Sequence, residues 1–491
     1  MTAEATRSRG YVFGPLQRRS VLGGLRAGQV GLIAAGGVTG IVVLRLAPSV
    51  VGLGTAVVAI GGAMGVAVAR IGGRALDEWA PSLCRWIGLR GRRRWMSAAP
   101  TAGAVSHRNR TWDRPPPLAS TQLVPVEVGG RELGVVEDTR AGTLTAVMAV
   151  QGSAFALLDS HAQERRLGAW ADVLSGWARD DRTPCRLQWL ERTVPEDGDA
   201  LGEYLRDHVA IDHGHAVVRS YLELLEDAAP LAQRHDTFVA LTLTDRPGRR
   251  RGPSDADGFT ALVRELARLQ KRLLAADLNV AGVLSPRQLA GLLRVSLNPP
   301  EAAGLARRSA ADPDLAGASA ASMYPLATDT YWDCYRIDET WHATFWVAEW
   351  PRLEVGPDFL APLLLEAPAL RTVSLVMAPV PPAKATKAVE MARTQFLADE
   401  ELRQKAGFLA TARRKREHDA IVRREAELAD GHAEYRFSGY VTVSAPDRET
   451  LEVSAAEVLH AAQRCRLDLR RLCGQQDVAF YATLPLGRGL S

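Results

Sequence analysis

A chain that hydrolyses nucleotides through a P-loop needs a lysine directly after a glycine, so that backbone amides and the ammonium together cradle phosphate. The five lysines here, Lys271, Lys384, Lys387, Lys405 and Lys415, each follow another residue type. A Walker-type NTPase is therefore excluded from this chain. The zinc pattern HExxH, the Gly-x-Ser-x-Gly nucleophile elbow and the kinase signatures are also absent. The nearest metal-like group is His208, Asp212, His213 and His215, in a polar segment beside a helix start. It fits either a membrane-bound metallohydrolase or, more simply, helix capping and solvent exposure. Cys84, Cys185, Cys334, Cys465 and Cys473 form no CxxC pair, which argues against a thiolate zinc site and against a disulfide framework. No carboxylate pair has a spacing that implies acid/base work. No catalytic residue, metal site or cofactor is expected.

The residues whose chemistry does form a pattern are arginines and tryptophans. Arg18, Arg19 and Arg26 precede a long apolar stretch, and Arg70, Arg74, Trp79, Trp86, Arg92, Arg93, Arg94 and Trp95 follow it. Indole and guanidinium together suit a headgroup layer, where each cation gains ~1 kcal/mol near anionic lipid. DNA is the other polyanion such a segment could meet. The formal charge of +4 is too small to imply nucleic acid by itself.

The stretch between these flanks, Ala27–Ala69, carries one charge, Arg45, and splits there into two apolar runs. Each run is long enough for a hydrocarbon core of ~30 Å. An Arg at the bilayer centre costs ~2.5–3.5 kcal/mol, so Arg45 must lie at a turn, which Pro48 and Ser49 beside it suit. A transmembrane hairpin with both termini in the cytoplasm follows from the arginine-rich flanks. Arg18-Arg19 also resembles a twin-arginine export signal, but a second apolar run follows and most of the arginine comes after it. Gly36–Gly40 and Gly61–Gly65 each contain a small-xxx-small pattern for close helix packing.

The periodicity predicts an α+β body of mainly antiparallel sheets. A basic arm (1–26) and the hairpin (27–69) lead to a basic juxtamembrane segment (70–122). A first lobe (123–298), a linker rich in Ala, Pro, Ser and Gly (299–330) and a second lobe (331–491) complete the chain. In the second lobe, 383–430 reads as one long charged helix, and Trp341 to Trp350 as a strand buried on both faces.

Several local patterns carry a resemblance. They are Tyr11-x-Phe13-Gly14-Pro15 and Gly28-Gln29 before the hairpin, Glu78-Trp79-Ala80-Pro81 after it, Trp332-x-x-Tyr335-Arg336-x-Asp338, and Glu349-Trp350-Pro351-Arg352-x-x-Val355. Together they resemble actinobacterial membrane proteins of type IV secretion and conjugal transfer. The closing Ala479-Phe480-x-x-Thr483-Leu484-Pro485-Leu486-Gly487 resembles the point where conjugation ATPases pass from a non-catalytic amino-terminal domain into the motor. The resemblance implies a two-span subunit fused to that amino-terminal domain without the motor. It further implies a homo-oligomeric scaffold in the inner membrane that docks a separate P-loop ATPase and other subunits of the apparatus.

Overall fold

The computed structural model describes Phe13 and residues 27–46, 48–71, 74–97, 114–152, 155–178, 185–195, 215–228, 233–244, 256–312, 316–405 and 412–490. Two compact units emerge: a small one from Pro15 to Arg93 with residues 473–475, and a body from Arg94 to Leu472 with Gln476–Ser491 and Met1–Gly14. The small unit contains apolar helices α1 (Ala27–Leu46) and α2 (Val50–Val68), a short antiparallel pair β1 (Arg70–Ile71) and β2 (Arg74–Ala75), and helix α3 (Leu76–Gly88).

The body is organised on one antiparallel sheet. Its strands are β3 (Arg94–Met96), β4 (Thr121–Val128), β5 (Arg131–Asp138), β6 (Thr143–Gln151), β7 (Cys185–Pro195), β8 (Gln233–Thr244), β9 (Asn279–Val283), β10 (Ala327–Thr330), β11 (Tyr335–Ile337), β12 (Thr340–Glu349), β13 (Arg371–Pro379), β14 (Tyr435–Ala445) and β15 (Asp468–Arg471). They lie in the order β3-β10-β11-β12-β14-β13-β7-β8-β6-β5-β4, with β9 also beside β6 and β15 also beside β12. Gly129 and Gly130, both at positive φ, close the β4–β5 hairpin, a turn that twists with its strands only when both central residues are left-handed.

This order contains the same unit twice. The series β4-β5-β6-β8-β7 and β10-β11-β12-β14-β13 match strand for strand. In each, a helix links two strands that flank a common neighbour: α6 (Ala256–Ala275) joins β8 to β9 around β6, and α11 (Arg448–Arg464) joins β14 to β15 around β12. The halves meet where β7 and β13 pair antiparallel, with Leu190 opposite Ser374 and Trp189 opposite Leu375 at the middle of the ladder. That arrangement is what a two-fold axis normal to the sheet would generate.

Helical periodicity decides which face each helix buries. On α6, Leu262, Leu266, Leu269 and Leu273 form one stripe, clustered with Met148, Leu187 and Leu241 and with Val173 and Trp177 of α4 (Ser160–Ala178). Each such leucine contributes about 1.5–3 kcal/mol on burial. Leu451, Ala455, Val458 and Ala462 of α11 cover Phe345, Val373 and Val441 on the same face. The opposite face carries α7 (Pro286–Leu297), which starts in a Ser285/Gln288 capping box and buries Leu289, Leu292 and Leu293.

Across the middle of that second face runs a buried polar stripe. Thr145 and Thr242 share a hydrogen bond of 2.9 Å, Thr344 and Thr442 one of 2.8 Å, and His342 Nδ1 lies 2.9 Å from Ser444 Oγ. The C-terminal segment, beginning with helix α12 (Gln476–Phe480), lies over it. Gln188 Nε2 donates to Ser374 Oγ and to the carbonyls of Ala482 and Leu484, while Gln188 Oε1 accepts from Gly487 N at 2.8 Å. Gln476 pairs its amide with both backbone groups of Thr344, at 2.8 and 3.0 Å, where β12 passes from β11 to β15. Irregular backbone can be buried here because side chains satisfy it.

Three expectations are corrected. The segment 299–330 is not a free linker: α8 (Glu301–Ala311) buries Ala302 and Leu305, Met323 and Tyr324 join the core, and β10 continues the sheet. The two lobes are halves of one sheet, because β7 and β13 pair across the expected boundary. The helix expected over 383–430 is two, α9 (Pro382–Lys405) and α10 (Ala412–Ala429), with residues 406–411 outside the described residues. They lie antiparallel, with Arg393 Nη1 2.8 Å from the Glu425 carboxylate and the Phe396 and His418 rings 5.1 Å apart. Folding back lets opposite charges and apolar rings meet, which a single straight helix could not do at such separations. Burial on both faces of β12 is as expected, with Phe345 and Val347 on one side and His342 and Thr344 on the other.

Replacing Gln188 with Ala strands the carbonyls and the Gly487 amide over the polar stripe. Each buried group left without a partner costs ~1–3 kcal/mol, so we expect a loss of about 3 kcal/mol in unfolding free energy, read by chemical denaturation of the full chain. His342 offers a pH readout. Burial pushes its imidazole down to about 3 from 6.5, so it stays neutral while the unfolded chain takes up a proton. Its stabilising share is complete above pH 6.5 and drains as pH falls toward 3, at ~1.4 kcal/mol per pH unit. The slope of stability between pH 6.5 and 5, where ordinary carboxylates barely titrate, should flatten in His342→Gln.

Candidate membrane-anchor site

The anchor begins with two helices long and apolar enough to cross a membrane, and little of either is buried within the protein. Val42, Val50, Val51, Val57 and Val58 are exposed, Val50 at 88%. A core helix of a soluble domain would hide such side chains, whereas a bilayer welcomes them. The threonines of the two helices bond locally: Thr39 Oγ1 donates to Ala35 O at 2.9 Å and Thr55 Oγ1 to Val51 O at 2.8 Å, as a membrane-crossing helix requires. Arg45 occupies the last turn of α1, exposed, and Ser49 caps α2 by accepting from Gly52 N at 3.1 Å.

The helices pack through a seam that the sequence revealed only in part. On α1 the contacts are Gly36 and Gly40: a Cβ on Gly36 would overlap Ala63 Cβ, and one on Gly40 would lie 3.0 Å from Ile60. On α2 the facing residues are Ile60 and a stripe of alanines. Ala56 and Ala67 are buried, and Ala59 and Ala63 lie under Gly36. Gly61, Gly62 and Gly65 have open space where a side chain would go, so the second glycine pattern is not part of this seam. The stripe Ala56, Ala59, Ala63, Ala67 is at helical spacing, a small-residue face present in the sequence beside the glycine pattern. Gln29 Nε2 closes the open end by donating to Ala67 O at 2.8 Å.

After the hairpin, α3 is amphipathic, with Trp79, Leu83, Trp86 and Ile87 on one side. Leu83 and Ile87 are exposed and the two indoles half-buried. Arg93 lies over the Trp86 ring, 3.6 Å from its centroid, and donates to Trp86 O at 3.1 Å. Of the other residues expected at the interface, Arg70 is in β1, Arg74 in β2, and Arg92 is exposed just after α3. Arg94 and Trp95 belong to the body: they form β3 on the sheet edge against β10, with Arg94 3.4 Å from Asp329. Arg18, Arg19 and Arg26 lie outside the described residues.

Among the described residues the body offers little reactive geometry. His208, Asp212 and His213 lie outside the described residues, and His215 Nδ1 accepts from Val217 N at 3.3 Å, capping α5 (Ala216–Ala228). Among the described residues no three His, Cys, Asp or Glu side chains converge as metal ligands do. A cavity of about 10 Å³ is lined by Arg192, Thr193, Arg371, Thr372, Ser444 and Thr483 among others. That volume suits one water molecule and is far below a substrate site. Tyr335 and Asp338 are structural. The Tyr335 hydroxyl lies 3.3 Å from that of Tyr481, and Asp338 accepts from Leu326 N and Ala327 N while pairing with Arg294 at 2.8 Å.

No protein-family model matches the chain, and no curated protein matches its sequence.

Gly36 and Gly37 form an internal pair for testing the seam. Gly36→Val should lower the temperature at which the full-length protein loses monodispersity in detergent, because the new side chain strikes α2. Gly37→Val, facing open space, should leave it unchanged. Equal effects at both positions would show that helix propensity, not packing, set the response.

Proposed function

We propose that this chain is a non-catalytic two-pass subunit of a type IV secretion-like or conjugative machine in the cytoplasmic membrane, docking a separate P-loop ATPase. The observation that carries the reading is a hairpin of exposed apolar helices leading into one large sheet body, in a chain whose lysines never follow glycine. The arginine excess on both flanks of the hairpin supports two cytoplasmic termini. Helix α3 suits the headgroup layer, with Trp79, Leu83, Trp86 and Ile87 toward acyl chains and the neighbouring arginines toward anionic lipid. For docking, the α9–α10 pair is the natural surface. Among the described residues of the pair, Ala385 and Val389 at the start of α9 are buried, and Met391, Leu397 and Val422 are exposed among the charged side chains beyond them. Other subunits of the apparatus and further copies of this chain complete the partners of this reading.

DNA binding is less favoured. Arg393, Arg414 and Arg424 are engaged with Glu425, with Asp399 and Glu400, and with Glu434, so much of the arginine on these helices is locally neutralised. Phosphate binding would also weaken steeply with salt.

The test is capture from native membranes coupled to an ATPase assay, with a reporter fused at Ser491 to read topology. We expect no turnover by the purified chain, recovery of a P-loop protein that depends on α9–α10, and an internal reporter. Turnover by the pure chain would overturn the motorless assignment, an external reporter the topology, and absence of any P-loop partner the scaffold role.

A further inference from the structure

Two of the sequence patterns, far apart in the chain, meet in space. The ring of Phe13 sits among three aromatic side chains of the body: its centroid is 5.2 Å from Trp350, 5.5 Å from Phe359 and 6.4 Å from Phe437. All three contacts are tilted, with interplanar angles of 31° to Trp350, 57° to Phe359 and 60° to Phe437. Trp350 and Phe437 also meet each other edge-on at 5.4 Å, so they form a socket wall and not two isolated rings.

The socket is built by the second half of the sheet. Trp350 follows β12, Phe437 is on β14 beside it, and Phe359 lies in the loop that leads toward β13. Gly439, also on β14, makes room for the indole, since a Cβ there would stand 2.9 Å from Trp350 Cζ2 and 2.8 Å from Val347 Cγ2. Trp350 and Phe359 rest on the core of this half, while Phe437 stays 42% exposed at the rim. A rigid inner wall with an open rim is suited to receiving a ring from outside the sheet.

Phe13 precedes the first membrane helix at Ala27, and the chain leaving the hairpin returns as β3, paired with β10 at the edge of the same sheet. The body is thus joined to the chain on both sides of the hairpin. We propose that the Trp350–Phe359–Phe437 socket is a receptor for Phe13 of the same chain, a second tether that straps the amino-terminal arm to the body. This assignment stands apart from the secretion reading, since it concerns only how the chain holds its own arm.

The test places p-benzoylphenylalanine at position 13 of the full-length protein in detergent, with tagged and untagged chains mixed before irradiation. The expected product runs at monomer mass, maps to residues 350–359 or 437, and falls several-fold in Phe437→Ala, a rim change that leaves the inner wall in place. Trypsin provides a readout that needs no crosslinker. Cleavage after Arg18 or Arg19 should quicken several-fold in both Phe13→Ala and Phe437→Ala, with the body's own fragments unchanged. A product joining tagged to untagged chains would place Phe13 in a second copy and overturn the same-chain assignment. A crosslink mapping elsewhere, or cleavage indifferent to both substitutions, would remove the socket altogether.

Discussion

The pairing of β7 with β13 is the constraint on which the rest of the body depends. It joins two equivalent half-sheets edge to edge, and without it each half would present an unpaired central strand to solvent. Backbone hydrogen bonds alone leave such a seam shearable. Gln188 and Ser374, on adjacent strands of the seam and bonded at 2.9 Å, both hold the C-terminal segment above it. Arg488 extends the clasp to the far edge of the first half by reaching Pro117 O and the Asp138 carboxylate. Buried polar groups of this kind fix register because each has one arrangement in which all are satisfied.

The same seam gives meaning to the helical insertions. Between β7 and β8 the chain carries α5, and at the equivalent place between β13 and β14 it carries α9 and α10. Equivalent connections have therefore been elaborated to different extents on one scaffold. The longer one is charged and folds on itself through the Arg393–Glu425 pair, with Ala385 and Val389 of its first turns buried and Met391, Leu397 and Val422 exposed. Surface connections tolerate such growth because they add little to loop-closure entropy and disturb no core.

The small unit follows a different physics. A pair of apolar helices in a hydrocarbon phase gains nothing from hiding apolar surface, so such a pair depends on close contact of small residues and on satisfied polar groups. Gly36 against Ala63 and Gln29 against Ala67 supply one of each. Arg45 lies in the last turn of α1, the place in a membrane-crossing helix where a guanidinium can reach water.

The sequence by itself determined the apolar hairpin with Arg45 at its turn, the α+β character of the body, the doubly buried strand around Phe345, and the absence of a P-loop lysine. Those properties are local: hydropathy, period and adjacency are written in consecutive residues. It resolved neither the duplication nor the single sheet, because pairing of Leu190 with Ser374 joins residues far apart in the chain and leaves no periodic mark in either strand. Only the tertiary structure turned the long charged stretch into a helix pair, since the fold-back depends on side chains meeting across it. Only it moved Arg94 and Trp95 into an edge strand, where β10 supplies the partner that their own neighbours could not. The socket around Phe13 is the extreme case. Aromatic residues at 13, 350, 359 and 437 are individually ordinary, and it is the close approach of β12 to β14, permitted by Gly439, that makes them one site.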